Sequence, residues 1–133
     1  LAPKGRRGVS TELRHTCRSA RRSYRRACAS GSDADLHECR KQTQHLRRQL
    51  TILDSGHPRR FGRLRKRASK LSDQLGDYRD LTLLNARIAD ARSGIRAAAV
   101  SQALLQRLDA GRDERRRRSL KLGRRLYRRK LKL

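Results

Sequence analysis

The chain has 133 residues, with 37 Lys and Arg against 12 Asp and Glu, a formal net charge of +25 at pH 7. With 35% hydrophobic residues it can build one narrow core, which excludes a large α/β enzyme. Thirty of the basic residues are Arg, whose planar fork matches phosphate oxygens and stays charged at any working pH, so the expected partner is a phosphate-rich polyanion.

In chain order, Leu1 to Gly8 carries the charge of a signal peptide's start but no apolar stretch follows. No apolar run approaches the roughly 20 residues needed to cross a bilayer. The expectation is a cytoplasmic protein without a membrane partner and, because the sequence opens on Leu, a segment of a longer natural chain. Val9, Leu13, Cys17, Ala20, Tyr24 and Ala27 then recur at helical spacing, which predicts a helix over 9–29. Gly31 supplies a stop, and Ser32 with Asp35 supplies a cap for a second helix over 33–55, striped by Leu36, Cys39, Thr43, Leu46, Leu50 and Leu53. Gly56 and Pro58 break that pattern.

A third helix is predicted over 58–92. It carries Phe61, Leu64, Ala68, Leu71, Leu75, Tyr78, Leu81, Leu84 and Ile88, and is either continuous or bent at Gly76. Ser93 and Gly94 end it. A fourth, over 97–129, has a weaker stripe of Leu104, Leu108, Leu122 and Leu126, interrupted by Gly111 and the run Arg115 to Arg118. Short loops force consecutive helices antiparallel, so the predicted fold is an all-α, up-down-up-down four-helix bundle in one domain over 1–133.

Little catalytic chemistry can be assembled. A di-iron site needs two Glu-x-x-His pairs, and only Glu12 with His15 fits. No Walker loop exists, and no nucleophile has a partnered base. Cys17, Cys28 and Cys39 form no Cys-x-x-Cys pair and read as small core residues. Asp73, Asp77 and Asp80 share a helix face, but Arg79 and Lys70 nearby favour ion pairs over Mg²⁺. Neither a cofactor nor a metal is expected.

The charge pattern carries more. His37, Arg40, Lys41, Gln44, Arg47 and Arg48 recur beside the second helix's apolar seam. Arg14, Arg18, Arg21, Arg22 and Arg25 form a similar ladder on the first helix, and the antiparallel hairpin is expected to set the two side by side. Arg63, Lys66, Arg67 and Lys70 add a third. Donors about 5.4 Å apart along each helix suit a chain of linked phosphates. His37 reads either as a capping or surface group or as a hydrogen-bond donor to a bound anion.

These residues resemble the CHAD domain, the conserved histidine α-helical domain. Its His-x-x-Arg-(Lys or Val) opening reads here His37-Glu38-Cys39-Arg40-Lys41, followed by Leu46-Arg47. A second element reads Leu75-Gly76-Asp77-Tyr78-Arg79-Asp80-Leu81. Arg18-Ser19-Ala20-Arg21-Arg22 is similar to the basic stretch ahead of the His motif, and Gly123-Arg124-Arg125-Leu126-Tyr127 to the closing segment, which adds Arg125 to the candidate contacts. Gln44 stands where the family usually has a basic residue, and Arg48 where an aromatic is common.

The resemblance implies an accessory module that binds inorganic polyphosphate in a basic cavity, in some bacteria at polyphosphate granules, without hydrolysing it. The family is sometimes fused to a triphosphate-tunnel enzyme domain, and nothing here resembles that enzyme. The family's domain usually comprises two helical bundles, and this chain resembles the second, so a second bundle of the same chain or a homodimer is the expected protein partner. The alternative reading is a non-specific nucleic-acid-binding protein. Against it, three of the four aromatics, Tyr24, Phe61, Tyr78 and Tyr127, sit on apolar stripes and leave no base-stacking platform.

Overall fold

A computed structural model describes the backbone of residues 2–91 and 95–128 and the side chains of 11–91 and 98–128. Four α-helices account for nearly all of it: α1 (Ala2–Ser30), α2 (Asp33–Gly56), α3 (Pro58–Ala91) and α4 (Ile95–Tyr127). The side chain of Val9, the predicted break at Ser93 and Gly94, and the predicted ends at 92 and 129 lie outside the described residues.

The joints follow the local chemistry. Gly31 takes φ +62°, a left-handed conformation open to glycine, and its N–H donates to Ala27 O at 2.8 Å to close α1. Ser32 caps α2, its Oγ accepting from Asp35 N–H at 3.2 Å, while Asp33 and Asp35 place negative charge at the positive end of the helix dipole. His57 N–H donates to Leu53 O, and Pro58 opens α3 where a missing N–H costs nothing. α1 begins seven residues earlier than its apolar stripe predicts, with Pro3 tolerated in the first turn. α3 runs through Gly76 without a break, and α4 runs through Gly111 and the Arg115–Arg118 stretch.

Each helix packs on the next, and α4 closes on α1 through a shorter seam. The core is the predicted stripe set: Leu13, Ala20 and Ala27 from α1, Leu36, Cys39, Leu46 and Leu50 from α2, Phe61, Ala68, Leu71, Leu75 and Tyr78 from α3, and Leu126 and Tyr127 from α4. The α1–α4 seam depends on Gly123. A Cβ there would lie inside the van der Waals envelope of the Tyr24 ring, whose hydroxyl donates to Leu120 O at 2.7 Å. Tyr127 shares a 2.8 Å hydrogen bond with buried Thr43 and stacks obliquely on Tyr24, at 5.5 Å between ring centroids.

Three stripe assignments fail. Cys28 is exposed because it lies one residue, about 100°, beyond the core position Ala27. Leu84 and Leu104 are 45% and 42% exposed. Both lie where α3 and α4 outrun their partners. The α1–α2 joint sits level with Tyr78 and Arg112, which meet Asp33, so the rest of α3, thirteen residues or about 20 Å at 1.5 Å each, has only α4 beside it. No described residue from Arg79 to Arg118 is buried.

Candidate functional site

α2 puts His37, Arg40, Gln44 and Arg47 half-buried along one flank, with Lys41 and Arg48 exposed outside them. This flank leans on α3. Arg47 Nη1 lies 4.0 Å from Asp73 Oδ1, and Arg40 Nε lies 3.8 Å from the point where a Cβ on Gly76 would stand. The opposite flank meets α1 in a crevice lined by Thr11, Glu12, His15, Thr16, His45 and Gln49, with no Lys or Arg.

The ladders of α1 and α2 therefore do not lie side by side in their hairpin. On α1, Arg14, Arg18, Arg21 and Arg25 recur at steps of four, three and four. At 100° per residue their stripe points about 180° away from Thr16 and Ser23, which pack toward α2, and falls on the flank next to Tyr24, which packs on α4. Arg22 lies farther round toward solvent. Arg63, Lys66, Arg67 and Lys70 are exposed on the outer face of α3, and Arg125 is exposed on α4.

Burial holds the His37 imidazole below its usual pKa of 6.5, and the charges of Arg79, Lys41 and Arg40 push the same way against Glu38. The ring is consequently neutral at neutral pH. Its Nδ1 is buried without a hydrogen-bond partner, as are Nε of Arg40 and Nε of Arg21. Carboxylates are scarce around these groups. Lys41 meets Glu38 at 3.5 Å within its own helix, while Glu38 also accepts from Gln42 at 3.0 Å. Asp73 and Asp77 do form ion pairs, but with Arg47 and Arg115 of neighbouring helices rather than with Lys70 and Arg79.

Among the described residues no three His, Cys, Asp or Glu side chains converge to hold a metal ion. Burial pushes the Cys17 and Cys39 thiols up to about 11, which keeps them protonated and weakly nucleophilic. Phe61, Tyr78 and Tyr127 are buried and Tyr24 is half-buried against α4, so no described aromatic face is open to a base. No helix among the described residues is long and apolar enough to cross a membrane.

A polar cluster escaped the sequence reading. Arg112 donates to both oxygens of Asp33 at 3.0 and 3.1 Å and to Thr82 at 3.0 Å, and its guanidinium stands 5.3 Å over the Tyr78 ring. Arg116 donates to Tyr78 OH at 3.0 Å, and that hydroxyl in turn donates to Asp33. The spacing of Leu108, Arg112, Arg115, Ser119, Leu122 and Leu126 is the signal: the stripe of α4 is unbroken, and arginines occupy its middle.

The family model of the CHAD domain matches residues 2–89, about two-thirds of the chain. The match contains the His37 and Leu75-Gly76 elements, whereas Gly123 to Tyr127 lies beyond it. No curated protein and no solved structure matches the chain. With the family's His-x-x-Arg-Lys opening standing on the exposed flank of α2 and the second element facing it from α3, the chain belongs to the CHAD domain family.

Proposed function

We propose that this chain binds inorganic polyphosphate without hydrolysing it, along the flank of α2 that carries His37, Arg40, Lys41, Gln44, Arg47 and Arg48. CHAD domains are associated with polyphosphate binding in general. The observation that carries the finer reading is a half-buried row of donors that few carboxylates approach: Nε of Arg40 and Nδ1 of His37 are shielded from water yet bond to nothing. An unmade hydrogen bond at a shielded polar atom is costly, and a phosphate oxygen seated there would relieve two such costs at once. Lys41 and Arg48 would hold the same chain from outside.

The reading is non-catalytic, and it is supported by the finding that among the described residues no three His, Cys, Asp or Glu side chains converge to hold a metal ion. Attachment to polyphosphate granules would then be adsorption through the same donors. A thin, flexible phosphate chain can follow half-buried groups between two helices, whereas a duplex is too wide to reach them.

The test is competition between long-chain polyphosphate and duplex DNA of equal phosphate content at about 0.15 M salt. Polyphosphate is expected to win, and both affinities should fall steeply with salt as counterions are released. Equal competition would favour non-specific nucleic-acid binding. Orthophosphate released above a heat-inactivated control would refute the non-catalytic reading.

A further inference from the structure

We propose that the chain carries a second, separate polyphosphate-binding face on α1, so that one molecule bridges two polyphosphate strands. The inference rests on the polyphosphate reading of α2 and adds a site on the other side of the bundle.

α1 carries nine Lys and Arg against a single Glu over its 29 residues. Among the described residues, none of Arg14, Arg18, Arg21 and Arg25 forms an ion pair, and Nε of Arg21 is buried without a partner. Their stripe lies beside the α1–α4 seam. Arg124, exposed on α4 next to the Gly123 that packs on the Tyr24 ring, adds a cation at that seam.

The α2 flank, by contrast, opens beside α3. The bundle is two helices thick, so the two faces stand about 20 Å apart and point in different directions. The α1–α2 crevice between them is lined by Glu12, His15, His45 and uncharged residues. On the other route round, Asp73, Asp77 and Asp80 follow the exposed cations Arg63, Lys66, Arg67 and Lys70 along the outer face of α3, and the full width of α3 and α4 lies between the two faces. A short phosphate chain on one face cannot reach the other, and a long chain meets two faces that can each take a different strand.

The test compares wild type with three charge-matched triples: Arg18→Gln, Arg21→Gln and Arg25→Gln on α1; Arg40→Gln, Lys41→Gln and Arg47→Gln on α2; and Arg59→Gln, Arg87→Gln and Arg107→Gln at exposed positions off both faces. Circular dichroism verifies the helical content of each. Light scattering with long-chain polyphosphate should show clusters for wild type and the third triple, and soluble complexes for the first two. Calorimetry with tripolyphosphate should count two sites in wild type and one in each of the face triples. Clustering by the α1 triple equal to wild type, or its loss to the same degree in the third triple, overturns the second face. A wild type that binds one tripolyphosphate at the α2 flank overturns it too, while leaving the proposed function standing. A wild type that binds no polyphosphate of either length overturns both.

Discussion

The arginines of α4 and the cations of α1 and α2 are chemically alike and differ in what surrounds them. On α4, Arg112 meets Asp33 and Asp109, Arg115 meets Asp77, Arg116 meets Asp113, and Arg117 and Arg118 share Glu114. Among the described residues, the carboxylate contacts of the ladder cations on α1 and α2 are Lys41 with Glu38 and the 4.0 Å approach of Arg47 to Asp73. The same side chain thus ties helices together in α4 and stands mostly without a carboxylate on α1 and α2. Counting Arg cannot separate the two roles; locating the twelve carboxylates does.

Stability separates the two groups of cations most strongly. Arg112 has only 19% of its side chain exposed, and Arg112→Ala removes the ties from α4 to Asp33 of α2 and Thr82 of α3, leaving Asp33 the Tyr78 hydroxyl alone. Urea unfolding should register a loss of about 2–3 kcal/mol, with polyphosphate affinity at the α2 flank nearly unchanged when measured under folding conditions. A large drop in affinity at intact fold would put Arg112 among the ligand contacts.

Gly123→Ala tests the seam that positions α1. The added methyl must displace the Tyr24 ring, and the melting curve should report a cost of about 1–3 kcal/mol, as for other overpacked interiors. Unchanged stability would mean that α1 and α4 separate more easily than their packing indicates.

The opposite pattern is expected of the α2 flank. Replacing Arg40, Lys41 and Arg47 by Gln should leave stability level or slightly raised, since it removes mutual repulsion in a chain of charge +25. Polyphosphate affinity should fall at least tenfold, because charge-assisted hydrogen bonds are worth about 1.5–3 kcal/mol each. Arg115, Arg116 and Arg117 would make a poor control despite equal charge, since they hold α3 to α4 and Glu114.

The smallest expected effect is on pH dependence. His37 has its folded pKa held below 6.5, so the unfolded chain takes up its proton first, and the free protein loses stability as pH falls below about 6.5. A phosphate at the ring reverses the sign by favouring the imidazolium. Affinity for polyphosphate should therefore rise as pH falls through the same range, and His37→Gln should flatten that rise. A titration that is flat in wild type would remove His37 from the site.

Much of the fold could be read from residue spacing. Ser32 and Asp35 marked a helix start, Gly31 a stop and Pro58 a first turn, because each has a local physical reason to sit there. The placement of the ladders could not be read. Apolar stripes say which face of each helix turns inward, and they are the same for a bundle that turns left or right. The hand of that turn decides whether the basic flank of α2 meets α1 or α3, and it is set by packing at contacts such as Tyr24 on Gly123. The middle of α4 misled for another reason: Arg112 and Arg116 are half-buried and lay their guanidinium groups over Tyr78, so a polar residue type hid the packing of α4 on α3.

The unequal helix lengths have a consequence for motion. The two-helix extension beyond Asp33 has one neighbour where the rest of the bundle has two, and burying less apolar surface leaves it near the low end of local opening free energies. Its backbone amides between Arg79 and Ala91 should exchange with solvent deuterium well before those of Leu46, Leu50 or Leu71. Exchange there would proceed while the bundle beneath stays closed, so the molecule unfolds from one end in stages rather than as a single unit.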